Sequence, residues 1–167
     1  MTSEETHRLN DILGAVYRRD VATVKRLAAT SVKLRDRDGR TILMHAILAE
    51  TPDLSIIQVL VDAGTEVNAF DLGERWTALH FAARDQNESI VSILLTAGAT
   101  VDPIDVFGNT PLWRSVMNAS PDLGTIKVLL AHGANPGRKN RQGVAPTDLA
   151  RKTGRADIGA LLAGNVQ

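Results

Sequence analysis

The chain has 167 residues, 44% of them hydrophobic, with nineteen basic and nineteen acidic side chains and no cysteine. That length and apolar content can bury a core as one domain, and a formal net charge of zero disfavours nonspecific attachment to nucleic acid. The absence of cysteine excludes disulfides, thiolate nucleophiles and cysteine metal sites. The start, Met1-Thr2-Ser3-Glu4-Glu5, is polar with no apolar signal segment behind it, and no apolar run approaches the roughly 20 residues of a membrane helix. A cytoplasmic protein without a membrane partner is expected.

A first helix pair is predicted from Leu9, Ile12, Leu13 and Val16, then Val21, Val24 and Leu27, apolar at helical spacing. The next unit opens on Gly39-Arg40-Thr41-Ile42-Leu43 and continues through Ile56, Ile57, Val59 and Leu60 to Ala63-Gly64-Thr65. The third has Thr77-Ala78-Leu79-His80-Phe81-Ala82-Ala83, then Ile90, Val91, Ile93 and Leu94, and closes on Ala97-Gly98-Ala99. In the fourth, Gly108-Asn109-Thr110-Pro111-Leu112 reads as a tip and a helix start: threonine caps, and proline suits the first helical position. Its second helix holds Ile126, Val128, Leu129 and Leu130, and Gly133 ends it in a left-handed cap. The last unit runs from Gly143-Val144-Ala145-Pro146-Thr147-Asp148-Leu149-Ala150 to Ile158, Leu161 and Leu162.

Positions 41, 77, 110 and 145 are separated by 36, 33 and 35 residues, and Gly64, Gly98 and Gly133 by 34 and 35. Two unrelated landmarks on one period predict an all-α solenoid of five helix-turn-helix units, at 6–35, 36–69, 70–103, 104–137 and 138–163. Its helices are too short to stand alone, so each must bury a face against its neighbours, with the first and last units as caps. Small residues at Ala46, Ala82, Ala83, Ser115 and Ala150 would let inner helices approach closely.

On these residues the chain resembles ankyrin-repeat proteins over nearly its whole length. The resemblance implies that inner helices and hairpin tips form a concave face that binds other proteins. It also implies that His80, at the family's usual histidine position, makes structural hydrogen bonds. The chain looks similar to short stand-alone ankyrin proteins of bacteria, some of which serve as immunity proteins neutralising a cognate toxin.

The sequence departs from the pattern in two places. The second and fourth units carry two extra residues between their helices, in the phrases Thr51-Pro52-Asp53-Leu54 and Ser120-Pro121-Asp122-Leu123. Hydroxyl, proline and aspartate read as a helix start at both, and the Pro52/Pro121 edge is a second candidate binding surface. In the third unit Arg75 stands where the tip glycine is expected and Gly73 lies two residues earlier, which predicts a tip enlarged by one residue and ending in Trp76.

No phosphate loop, nucleophile elbow or His-Glu metal motif is present, so neither an enzyme nor a cofactor or metal is expected. The rival reading, a small-molecule-binding protein or enzyme, would use His80 and Asp85. Five of the six aromatics fall within residues 70–113, and Trp76 and Phe107 occupy tip positions expected to face solvent. The candidate partner-binding set is Arg40, Glu74, Arg75, Trp76, Arg84, Asp105, Phe107, Asn109, Trp113 and Arg114, with the aromatics as anchors. Net charge is +3 over residues 1–49, −8 over 50–110, +1 over 111–136 and +4 over 137–167. An acidic middle suits a basic protein partner, such as a toxin or enzyme domain, occluded by the face; a regulatory adaptor is the alternative within the same binding class. The basic run at Arg138, Lys139 and Arg141 lacks aromatic interleaving and reads as a solubilising cap, not as a nucleic-acid site.

Overall fold

The computed structural model describes residues 2–164, and the regular structure in that span is helical apart from isolated bridges, one of which pairs Arg35 with Thr41. The ten described helices are α1 (Ser3–Tyr17), α2 (Val21–Ser31), α3 (Ile42–Ile47), α4 (Leu54–Asp62), α5 (Ala78–Arg84), α6 (Glu88–Thr96), α7 (Pro111–Met117), α8 (Gly124–Ala131), α9 (Pro146–Lys152) and α10 (Ala156–Ala163). None is long and apolar enough to cross a membrane. Most are six to nine residues long. At that length an isolated helix is not stable in water, so packing has to hold it.

The chain divides into two compact units, Met1–Gly73 and Glu74–Gln167. In the first, α1 packs on α2 and α3, and α4 packs on α2 and α3. Its core is Leu9, Ile12, Val16, Val24, Ile42, Leu43, Met44, Ile56, Ile57 and Leu60, all buried. In the second, the inner helices α5, α7 and α9 lie in sequence, with α6, α8 and α10 each on its own inner helix. Leu79, Phe81, Ile90, Leu94, Leu112, Ile126, Leu129, Ile158 and Leu162 form its interior. Each such side chain contributes about 1.5–3 kcal/mol by leaving water. Ala82, Ala83, Ser115 and Ala150 are fully buried, as close approach of the inner helices requires.

Capping explains where the helices start. Thr2 and Glu5 form a capping box on α1, and Thr41 and Thr110 accept from the backbone N–H of Met44 and Trp113, each at 3.2 Å. Pro111 and Pro146 occupy the first turns of α7 and α9. Ala145 cannot cap, so Asp148 reaches back to its N–H at 3.0 Å. The two inserted phrases behave differently from the shared helix start read in the sequence. In the first, Asp53 is the cap of α4, accepting from Ser55 and Ile56, while Thr51 and Pro52 precede it. In the second, Leu123 takes the cap place in a left-handed conformation, φ 56°, and Asp122 bonds the Ser120 hydroxyl and the Gly124 N–H. The carboxylate satisfies the N–H groups better than the hydroxyl two residues earlier, and no threonine or serine cap forms at either place.

The tips show why one departure was legible. Gly39, Gly108 and Gly143 each stand two residues before the cap position with φ of 76, 79 and 75°. Arg75 takes that place in the enlarged tip with φ 58°, a conformation that costs a side-chain-bearing residue about 1–2 kcal/mol. Replacing Arg75 by glycine should therefore raise stability by up to about 1 kcal/mol, once the glycine's greater freedom in the unfolded chain is allowed for. Urea unfolding of Arg75→Gly checks this; a lower midpoint would mean that contacts of the arginine side chain outweigh the strain.

Candidate functional site: tips and inner helices of the second unit

The tip before α7 is built around one carboxylate. Asp105, 1% exposed, accepts from the backbone N–H groups of Phe107 and Asn109 through Oδ1, both at 2.8 Å. Its Oδ2 receives Arg114 Nε at 3.1 Å, Arg114 Nη2, and the Asn109 amide at 3.3 Å. Burial pushes its acidity down, but Arg114 and the two backbone donors outweigh it and hold the carboxyl below the usual range. Asn109 passes the network on: its amide oxygen accepts from Asn140 Nδ2 at 2.7 Å. Asn140, standing in the next tip where Asp105 stands in this one, accepts from the N–H groups of Gln142 and Val144, both at 3.0 Å.

Backbone bonds join the tips directly. Val106 N–H donates to Glu74 C=O at 2.9 Å, and Arg141 N–H to Phe107 C=O at 3.0 Å. His80 adds a third link. Its Nδ1 lies 3.2 Å from Thr77 N and 3.1 Å from Thr77 Oγ1, and its Nε2 lies 3.2 Å from Asn109 O. A ring that accepts at Nδ1 and donates at Nε2 is neutral, and His80 is 0% exposed.

Trp76 closes the structure from the side of the inner helices. Its ring stacks on His80 with centroids 6.0 Å apart and tilts against Phe81 at 5.0 Å. The Arg114 guanidinium lies 4.6 Å from the Trp76 centroid and that of Arg84 lies 5.3 Å away. Arg84 is held by Asp85 at 2.6 and 2.8 Å, and Arg114 also reaches Glu74 at 3.5 Å.

A family model described as ankyrin repeats, in three copies, matches residues 47–140. The chain belongs to the ankyrin-repeat family. Among similar proteins, inversin of Gallus gallus is 33% identical over 136 residues, covering 80% of this chain and 12% of inversin. Serine/threonine-protein kinase 12 of Arabidopsis thaliana is 39% identical over 97 residues, 58% of this chain and 20% of the kinase. The putative ankyrin repeat protein FPV031 of Fowlpox virus (strain NVSL) is 33% identical over 135 residues, 78% of this chain and 38% of its own length. The chain thus spans well under half the length of each of these relatives. Ankyrin repeats generally mediate protein–protein interaction.

Nine of the ten candidate residues belong to the second unit; Arg40 belongs to the first, where its Nε lies 3.8 Å from Asp71 Oδ2. The solvent-facing place expected for Trp76 is corrected: it is 6% exposed, because the extra tip residue turns it inward over His80 and Phe81. Asp105 and Asn109 are likewise buried, their polar atoms used within the ankyrin repeats. Phe107 is 47% exposed, and Glu74, Arg75 and Asp85 also face solvent. Arg84, Trp113 and Arg114 are half-buried. Trp113 occupies the third helical position that His80 holds in the preceding repeat, yet its buried Nε1 finds no acceptor.

The His80/Asp85 pair of the rival reading is not a catalytic arrangement: both ring nitrogens are engaged in the repeat framework, and Asp85 is held by Arg84. Among the described residues no three metal-ligating side chains come together. A relay in the first unit escaped the sequence reading. The Tyr17 hydroxyl lies 2.8 Å from His45 Nδ1, and His45 Nε2 lies 2.9 Å from Asp36 Oδ2. Burial, with Asp36 adding to it, pushes the Tyr17 hydroxyl above its ordinary value and keeps it a donor. The signal was available: His45 follows its cap threonine by four positions, as Arg114 does, and both reach back to the aspartate that opens their own tip.

Replacing Asp105 by asparagine should destabilise the protein by about 3 kcal/mol at pH 7, since it strands a half-buried guanidinium and weakens the turn. A carboxyl held below its unfolded value contributes stability above that value and loses it as pH falls through the folded one. Urea unfolding between pH 7 and 3 should thus show a steeper acid loss in the wild type than in Asp105→Asn.

Proposed function

We propose that the protein binds another protein through the tips and inner-helix face of its second unit, and acts by masking the surface it covers. The observation that carries this reading is Phe107, a large aromatic left half-exposed on a tip whose backbone is fixed on both sides. The preceding tip holds Val106, the following tip takes the Phe107 carbonyl, and Asp105 receives the Phe107 N–H. An anchor that needs no ordering on association gives up little entropy, so its buried area converts efficiently into affinity. Trp113 and Arg114 at the half-buried base, with Glu74 and Arg75 at the rim, complete the surface; Trp76 supports it from beneath.

The partner chemistry favoured is a basic protein surface. Glu74, 52% exposed and joined through its carbonyl to Val106 beside the anchor, is an exposed carboxylate of this surface, and Asp85 is another exposed carboxylate of the same unit. The attraction is smaller than the sequence charge implies, because Asp105 is buried against Arg114. A toxin or enzyme with a basic active-site cleft fits such a face, with this protein as its inhibitor. Masking a cleft needs a rigid surface and no catalytic group.

The test is co-purification from the native cell with cross-linking to identify the contact residues, followed by titration of the identified partner. Phe107→Ala should weaken binding by about tenfold or more, and Glu74→Lys should slow association and reduce its dependence on salt. Cross-links confined to Thr51–Asp53 or Ser120–Asp122, with both variants binding normally, would move the interface to the edge of the inter-helix loops.

A further inference from the structure

A separate cavity, of 380 Å³, lies between α1 and α2 and is lined by Asn10, Asp11, Gly14, Arg18, Thr23 and Arg26. Asn10, Asp11, Gly14 and Arg18 take the side of α1 opposite its buried stripe of Leu9, Ile12 and Val16, and Thr23 and Arg26 come from α2. We propose that it is a binding site for a small anion bearing a carboxylate or a phosphate, held by the Arg18 and Arg26 guanidiniums.

Two independent features support this. Neither arginine forms an ion pair with a carboxylate among the described residues, although most other guanidiniums of the chain do. Asp20 lies near both, and its carboxyl is held below the usual range by the Thr23 hydroxyl and backbone N–H, with Arg18 and Arg26 adding to the effect. Yet that carboxylate is engaged as the cap of α2, 3.0 Å from Thr23 N, and pairs with neither. The second feature is Gly14. It sits inside a fifteen-residue helix with no positive φ, where alanine would be better by about 1 kcal/mol. The three atoms nearest a Cβ added there all belong to Arg18, whose Nη1 would be 3.1 Å away. The glycine leaves room for that guanidinium close to the helix, on the lining of the cavity.

The chemistry is that of two guanidiniums with a neutral donor: two planar forks for oxygen atoms, with the Asn10 amide on the same lining, while the Thr23 hydroxyl is given to Asp20. Asp11, 3.4 Å from His7, offers an acceptor to a hydroxyl or amine elsewhere on the same ligand. This cavity is in the first unit and does not rest on the partner-binding reading.

Calorimetric titration of the full chain with inorganic phosphate and with succinate, at matched ionic strength, tests the proposal. Saturable one-to-one binding of either anion with Kd of about 1 mM or tighter is expected, and the tighter of the two identifies the ligand class. The double variant Arg18→Ala/Arg26→Ala, at exposed positions, should lose at least about tenfold in affinity. Gly14→Ala should keep or raise helix stability while weakening the same binding, because its methyl displaces Arg18. No saturable heat with either anion, or equal affinity in the double variant, would overturn the site.

Discussion

The second unit depends on a carboxylate that never meets water. Asp105 draws two backbone N–H groups of its own tip and a guanidinium of the following helix onto one pair of oxygens. Hairpin tips have few apolar groups to bury, so their backbone polar atoms must be satisfied from within the fold. The same place in other repeats is held by Asp36 and Asn140, which accept the N–H groups two and four residues on in the same way. Asparagine suffices at 140, where no arginine follows four positions after the cap. The charge at 105 meets Arg114, and the tip geometry itself is the work of the first oxygen.

Order in the tips has a consequence for recognition. Each tip is tied to the next by a backbone bond, and His80 ties the start of α5 to the tip before α7. A side chain on such a tip, Phe107 above all, is displayed without the freedom that loops usually retain. The framework uses the groups that would otherwise be reactive: His80 is neutral and doubly bonded, and Arg84 and Arg114 are laid over Trp76. Rigidity and chemical quiet come from the same contacts.

The period, the capping threonines, the helix-ending glycines and the structural histidine were legible because each depends on one residue at a fixed spacing. What was illegible depended on how the chain turns between those points. One added residue in the tip before α5 places Arg75 at the left-handed position and swings Trp76 from the rim to the interior. The two Pro-Asp phrases look alike in sequence, yet Asp53 caps α4 whereas Leu123, left-handed, opens α8. Gly124 marks the difference: a Cβ there would collide with the Glu88 carboxylate, so that helix start runs close to α6. Local letters cannot report a contact that a neighbouring repeat supplies.

Charge is the clearest case of this limit. The −8 over residues 50–110 counts every carboxylate alike, but Asp71 and Asp105 are buried against Arg40 and Arg114, and Asp53 meets Arg19. Arg40 and Arg19 come from outside the acidic stretch and Arg114 from just beyond it, so pairing across repeats cancels charge that a count along the chain keeps. Only the charge that remains exposed, that of Glu74 and Asp85 included, acts on the surroundings, at ranges set by salt screening. In a stack of repeats, the field at the surface is decided by which charges the neighbouring repeats have already neutralised.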